Sequence, residues 1–445
     1  MLFIFLQHVY NGTAYANKLP RRRSTEQAFS SRKGNYYGIS FNEVIFLKEK
    51  IIEAIESLRD EIIEIGDYVL KNPEMGYKEY KTSELVKNVF DKLGIEYRDK
   101  LALTGVKGEL CGNGEGPNIC IIGEMDAVKC FGHPYADSDT GAAHACGHNA
   151  QIASLLGAAM GIVKSGVMEK LSGKVTFFAV PAEEFVELEW REQLKNEGKI
   201  EYFGGKQELI RLGEFDNIDM AMMVHSQAGV HAPELYMDGS SLGFNTKQIS
   251  FKGKAVHASE PFEGVNALNA AMLALMGIHA NRETFRDEDK VRIHPIITNG
   301  GELVNVVPSM TTIETYVRGA NQKAIESACE KVDNAVKAGA MAVGAECEIK
   351  NTKGYMPLNQ DKELGRIFEE NAKIITKSEI HHGIDMTGST DMGDLSSKIP
   401  CIQPTMGGFS GSAHGKDFTV CDKEAAYIIP AKIMACTVYD LLKNV

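Results

Sequence analysis

Several short segments of this sequence carry residue types that bind metals or move protons. The densest is His144-Ala-Cys146-Gly-His148-Asn149. A cysteine thiolate and a histidine nitrogen both ligate transition metals, and one intervening residue lets Cys146 and His148 turn toward a single ion. A helix is expected to begin there, and a helix N-terminus favours the thiolate that a metal needs. A packed cysteine beside a capping histidine would give the same hexapeptide, so this segment alone leaves both readings open. Pro181-Ala-Glu183-Glu184-Phe185 sets two adjacent carboxylates at the end of an apolar run. Buried acids are costly unless a cation faces them. One carboxylate on a metal and the other facing a metal-activated water would remove that cost; exposed loop acids are the alternative, with Glu187 and Glu189 close by. His225 follows the apolar Met222-Met-Val224, and His414 lies in a glycine-rich segment near the end. A lone histidine is more often structural. Asp126, in Glu124-Met-Asp126, is placed to accept the second ring N–H of a ligand histidine.

The elements that must position these residues begin near Phe41. Ile51, Ile52, Ile55 and Leu58 recur at helical spacing, and a second helix is expected over residues 80–93, stopped by Gly94. Strands follow at 106–111 and 118–123, joined by Gly112-Asn-Gly-Glu-Gly116. No helix follows those glycines, so they predict a hairpin turn rather than a dinucleotide loop. Residues 150–163 are apolar almost all round, the mark of a buried helix. Buried strands are expected at 175–180 and 220–224, each running into candidate site residues. Buried strands alternating with helices indicate an α/β fold, a mixed sheet with helices on both faces. Catalytic groups gather at the C-terminal ends of strands in such sheets, and the candidates share that placement.

From Phe244 to about Thr352 the order changes to β-α-β-β-α-β, that of a ferredoxin-like module. The expected organisation is therefore a catalytic domain over residues 41–243 and 353–445, interrupted by an inserted α+β lid or dimerisation domain over 244–352. Residues 1–40 are basic, include Arg21-Arg-Arg23 and lack apolar periodicity, which reads as a disordered leader.

Composition narrows the partners. Over 445 residues the net charge is −12, which argues against nucleic acid or an anionic membrane as partner. Nine cysteines make an odd, scattered set, suiting a reducing cytoplasm better than a disulfide framework.

From Phe41 onward the chain resembles the metallopeptidase-type amidohydrolases, which include aminoacylases, hippurate hydrolases, auxin-conjugate hydrolases and aminobenzoyl-glutamate hydrolases. The resemblance rests on motifs standing in family order: Gly123-Glu-Met-Asp126-Ala, His144-Ala-Cys-Gly-His148, Pro181-Ala-Glu-Glu184, Gly253-Lys-Ala-Val-His257-Ala, Asn305-Val-Val-Pro308, Gly388-Ser-Thr-Asp391 and the late His414. It implies two divalent metal ions, zinc or manganese with cobalt or nickel also suitable. Cys146 would bridge them, with His148, Glu184, His225 and His414 completing the ligands. Glu183 would act as general base toward water and then protonate the leaving nitrogen. His257 would hydrogen-bond the oxyanion, reaching in from the partner of a homodimer. Asn305 and Arg318 are the choices to hold a substrate carboxylate, a guanidinium being suited to it by bidentate geometry; a surface ion pair is the competing role for Arg318. Asn149, where many members carry aspartate, together with Glu124 and Gly388-Ser-Thr-Asp-Met-Gly-Asp394, looks closer to the aminobenzoyl-glutamate hydrolase and dipeptidase branch. The segment 129–139 is longer than usual, and its His133 is expected to be an ordinary loop residue. The expected substrate is a small N-acyl, N-aroyl or aminoacyl amide with a free carboxylate. A catalytically silent binding protein would lack a ligand or the base, and all expected positions are filled. A zinc deaminase is set aside because its His-x-Glu and Pro-Cys-x-x-Cys pattern is absent.

Overall fold

The computed structural model describes residues 41–443 apart from residue 387; the leader expected over residues 1–40 lies outside them. Helices α1 (Phe41–Glu56), α2 (Arg59–Lys71) and α3 (Tyr80–Leu93) precede strands β1 (Glu96–Leu101), β2 (Gly105–Cys111) and β3 (Asn118–Glu124). Next come helix α4 (His148–Ser165), strand β4 (Lys174–Val180) and the short helices α5 (Leu188–Asn196) and α6 (Gly205–Arg211). Strands β5 (Met220–Met222), β6 (His225–Ser226) and β7 (Leu235–Met237) follow. A second run of elements comprises β8 (Gly243–Lys252), α7 (Ala267–Ala280), β9 (Arg292–Ile293), β10 (Ile296–Asn299), β11 (Met310–Gly319), α8 (Gln322–Val343) and β12 (Glu346–Lys353). The chain then returns through α9 (Lys362–Ile375), β13 (Ile380–His382), α10 (Met392–Ser396), β14 (Cys401–Ile402), β15 (Thr405–Met406) and α11 (Ile429–Leu442).

The main sheet has six strands in the order β1-β2-β4-β3-β5-β14. β4, β3, β5 and β14 run parallel, whereas β1 and β2 are antiparallel additions at one edge. Side chains alternate across a strand, and here both faces are buried. Ile119 and Ile121 join one core, with Val175, Phe177 and helix α4; Cys120, Ile122, Phe178 and Val180 join the other, with residues of α5 and α6. This is the mixed α/β sheet with helices on both faces that the sequence predicts. A four-stranded sheet, β13-β7-β15-β6, flanks the strand ends that carry the site.

The hairpin expected at Gly112–Gly116 does not form, because β4 inserts between β2 and β3. Those glycines serve close backbone approach instead. A Cβ on Gly112 would stand 2.3 Å from the Leu171 carbonyl oxygen, and Gly112 and Asn113 donate to Gly173 and Leu171.

Residues 243–353 form a separate antiparallel sheet, ordered β9-β11-β8-β12, with β10 also pairing β11. Helices α7 and α8 cover it. They approach closely because their contact is built from small residues: a Cβ on Gly339 would meet the Ala270 carbonyl oxygen at 2.6 Å. Ile249, Phe251, Ile313 and Val317 from the strands meet the alanines of both helices in a core of their own.

Candidate metal centre

The parallel strands end at the same side of the main sheet and deliver Glu124, the Glu183-Glu184 pair and His225 there. Cys146 and His148 arrive at the start of α4. The residue between them must be glycine: Gly147 has φ 85°, and a Cβ would lie 2.7 Å from that of Ser226. Two non-glycine residues of the site also occupy the left-handed region, Ala182 (φ 53°) directly before Glu183, and His414 itself (φ 61°). Such conformations are costly, persist where the surroundings impose them, and gather at functional sites.

Six of the expected residues converge. Cys146 Sγ is 3.7 Å from His225 Nε2, and His414 Nε2 is 3.2 Å from Glu184 Oε1. His148 Nε2 is 4.0 Å from Glu183 Oε2 and 3.1 Å from Glu124 Oε2. Metal-holding geometry is met by Cys146, His148 and His225 together, by Cys146, Glu184 and His414, and by Glu124, His148 and Glu183. Cys146 belongs to two of these groups, and His148 likewise to two. Glu183 and Glu184 are buried, while His414 is exposed.

The donor atoms fit divalent metal. His148 Nδ1 lies 2.8 Å from the Asp126 carbonyl oxygen and His225 Nδ1 lies 3.1 Å from that of Ser226. A carbonyl only accepts, so each Nδ1 carries the proton and each Nε2 presents a lone pair to the centre. His148 Nε2 and Glu184 Oε1 are buried without a hydrogen bond, although acids or histidines stand within 3.1 to 3.2 Å. These atoms aim at a shared point rather than at each other, and buried polar atoms are seldom left so. Electrostatics agree. Burial opposes a charge on His148, yet Glu124 and Asp126 outweigh it and push its pKa up to about 10. Burial, and then Glu124 and Glu184, hold the Glu183 carboxyl well above its usual range. Burial, and then Glu184 and Glu183, push the Cys146 thiol up. The surroundings attract positive charge, and a coordinating cation would bring thiol and carboxyls to their anionic forms.

The hydrogen bond from His148 goes to the Asp126 backbone carbonyl rather than to the side chain expected to accept it, and the carboxylate stands alongside. Its Oδ1 is 3.4 Å from Nδ1 and its Oδ2 accepts from the Glu184 amide at 2.9 Å; burial works against the charge, but His148 brings the carboxyl down to about 2. A cavity of about 700 Å³ opens over Cys146, Glu183, Glu184, His225 and His414, and Arg318 stands in its wall. Arg318 Nη1 donates to Ser389 Oγ at 2.8 Å, and the guanidinium lies over Phe244 and Tyr316. No carboxylate pairs with it among the described residues. His257 and Asn305 do not line this cavity. Both are exposed on adjoining loops, where Asn305 carbonyl oxygen accepts from the Ala258 amide and His257 bridges Val306. His133 is buried, donating to the Phe418 carbonyl at 2.8 Å, as an ordinary loop residue does.

The sequence reading noted Glu124 only as a departure from family pattern. Its place in the centre follows from the end of β3, the same signal that located Asp126. Lys206, which holds Glu124 from behind and is itself held by Asp391, gave no local signal; Asp391 stood in the Gly388-Ser-Thr-Asp391 motif without a role.

Residues 120–440 match Peptidase family M20/M25/M40, a span that holds most of the chain and every residue of the centre. The chain belongs to that family. It is 31% identical over 429 residues to the Xaa-Arg dipeptidase of Homo sapiens, covering 90% of each chain. It is 25% identical over 350 residues to the N-acetyl-L-cysteine deacetylase of Bacillus subtilis (strain 168), covering 76% of this chain and 79% of that one. Among solved structures it shares the fold of a dinuclear metal-binding M20 peptidase of Bacillus subtilis, with a TM-score of 0.69, 22% identity, and coverage of 88% of this chain and 100% of that one. It also shares the fold of an aminobenzoyl-glutamate utilization protein from Klebsiella pneumoniae, with a TM-score of 0.64, 17% identity, and coverage of 87% and 97%. This M20/M25/M40 family member is a metal-dependent hydrolase, with clusters suited to a two-metal site.

Proposed function

We propose that this M20/M25/M40 member hydrolyses the amide bond of small N-acyl, N-aroyl or aminoacyl amino acids whose leaving amine carries a free carboxylate. The observation that carries the reading is one cavity with the candidate ligand cluster on its floor and, in its wall, the guanidinium of Arg318, which no carboxylate pairs among the described residues. Cys146 would bridge two divalent ions, with His148, Glu184, His225 and His414 as further ligands. Ions held there polarise a carbonyl and lower the pKa of water. Glu183 takes the proton from the attacking water and delivers it to the leaving nitrogen. Arg318 grips the carboxylate and thereby fixes the amide over the centre. The family's Xaa-Arg dipeptidases, similar over most of this chain, favour a dipeptidase as the second reading.

His257 and Asn305 complete the site from a second copy. Residues 244–352 act as a lid and dimerisation domain of ferredoxin-like order. Exposed apolar residues support this: Met272 and Met276 on α7, Ile296 and Ile297 on the edge strand β10, and Leu303, which a partner surface would cover. An isologous homodimer across these residues would carry the His257 and Asn305 loops toward the partner's cavity, where His257 donates to the oxyanion and Asn305 to the carboxylate. A reducing cytoplasm suits the chain, none of whose nine cysteines is paired in a disulfide.

Glu183→Gln tests the mechanism. Turnover is expected to vanish with the metal content retained, and a variant as active as the parent overturns the role of Glu183. A panel of N-aroyl glutamates, N-acetyl amino acids and dipeptides separates the two substrate readings.

A further inference from the structure

Beneath the metal centre lies a fully buried lysine. Lys206 Nζ is 2.5 Å from Glu124 Oε1 and 2.5 Å from Asp391 Oδ1, and all three side chains are buried. The Lys206 amide also donates to Asp391 Oδ2 at 2.9 Å. The helix that carries it is pressed against the base segment: Gly205 donates to the Ala182 carbonyl at 2.9 Å, and a Cβ on Gly205 would overlap the Pro181 carbonyl oxygen at 1.7 Å. The lysine therefore joins the acid facing His148 to the loop at residues 388–391, while its neighbour Gly205 packs the same helix against the segment of Glu183.

Each contact leads to a part of the site with its own task. Glu124 Oε2 receives a hydrogen bond from Gln151 Nε2 at 2.8 Å and faces His148 Nε2. Gln151 sits one turn along α4 from His148, and its Oε1 also accepts from the Glu124 amide at 3.1 Å. The Glu124 carboxylate is thus clamped on both oxygens beside a metal-facing nitrogen. On the other side, Asp391 follows Gly388, Ser389 and Thr390, which line the cavity, and Ser389 is the hydroxyl that receives Arg318.

We propose that Lys206 is a positioning residue that sets two geometries at once, the metal-facing acid Glu124 and the loop that seats Arg318. An apolar side chain would fill this space without the desolvation cost of three charges. A lysine does what an apolar residue does not: its ammonium directs separate N–H donors at two carboxylates and fixes the distance between elements that are remote in sequence. The proposal rests on the reading above, in which His148 is a ligand and Arg318 the carboxylate anchor.

Three single variants test it, Glu124→Gln, Asp391→Asn and Lys206→Met, each assayed for thermal unfolding, metal dissociation constant by chelator competition, KM and kcat. Glu124→Gln is expected to weaken metal binding roughly 10–100-fold. Asp391→Asn keeps the Lys206–Glu124 pair; it is expected to raise KM about tenfold with metal affinity unchanged. Lys206→Met is expected to shift both quantities; should it fail to fold, the two isosteric variants carry the test. Folded Lys206→Met or Asp391→Asn protein of lowered Tm but parental metal affinity and KM would reduce Lys206 to a structural pairing and overturn the proposal. Glu183→Gln as a control keeps the two levels apart. Undiminished turnover in that control sinks the functional reading, while the metal dissociation constants still decide the role of Lys206.

Discussion

At the metal centre the unmatched atoms are buried polar ones, whereas on the second sheet they are exposed apolar ones. His148 Nε2 and Glu184 Oε1 sit in a packed region with no hydrogen bond, surrounded by carboxylates that draw positive charge. The second sheet has an interior closed by alanines, valines and isoleucines but leaves Met276 at 66% and Ile296 at 54% exposure. The two shortfalls call for different complements. Buried acids and lone pairs need something small and cationic, and an uncovered apolar face needs a surface of its own kind.

That difference is most sharply tested by taking the small complement away. Chelation is expected to abolish turnover, and add-back of zinc or manganese to restore it. Thermal unfolding should fall as well, since ligand bound only by the folded state stabilises it by roughly 4 kcal/mol at a thousandfold excess over Kd. Metal-free protein with parental turnover would remove the cation from the argument. Taking the large complement away should cost less. Met276→Asp puts a charge in the apolar face and is expected to give a monomer by light scattering, with metal content kept and activity down about 10²–10³-fold through loss of His257. Mixing inactive Glu183→Gln and His257→Ala chains sharpens this further. If His257 acts across subunits, each mixed dimer regains one site with both groups intact, and activity returns; no recovery on mixing places His257 in its own chain's site.

The two regions also differed in how far the sequence revealed them. Strand ends were legible because apolar runs terminate abruptly at Glu183-Glu184 and His225, and Cys146-Gly-His148 keeps two metal-binding side-chain types within one turn. Helix α3 was legible down to its Gly94 stop, which has φ 67°, since only a terminal glycine adopts that geometry cheaply. Pairing across long separations was not. Nothing local in Gly112–Gly116 reports that β4, reached only after α4, inserts between β2 and β3. For the same reason Lys206 was invisible: its partners lie 82 and 185 residues away, and in the sequence it is one lysine among many. Arg318 was legible as a cation, but that no carboxylate among the described residues pairs with it appears only once the fold is known.

The smallest expected effect separates the stability of the second region from the chemistry of the first. Helix α8 is capped by Asn321, whose side chain accepts from the Ala324 amide at 2.9 Å. Asn321→Ala leaves that donor to water and is expected to cost about 1 kcal/mol. The residue is far along the chain from every ligand and does not line the cavity. Its variant should therefore unfold at lower temperature or denaturant while kcat and metal affinity stay at parental values. A fall in kcat without a change in metal affinity would mean that α8 helps seat the partner's His257 loop. The second sheet would then contribute to turnover through its internal order as well as through its outer face.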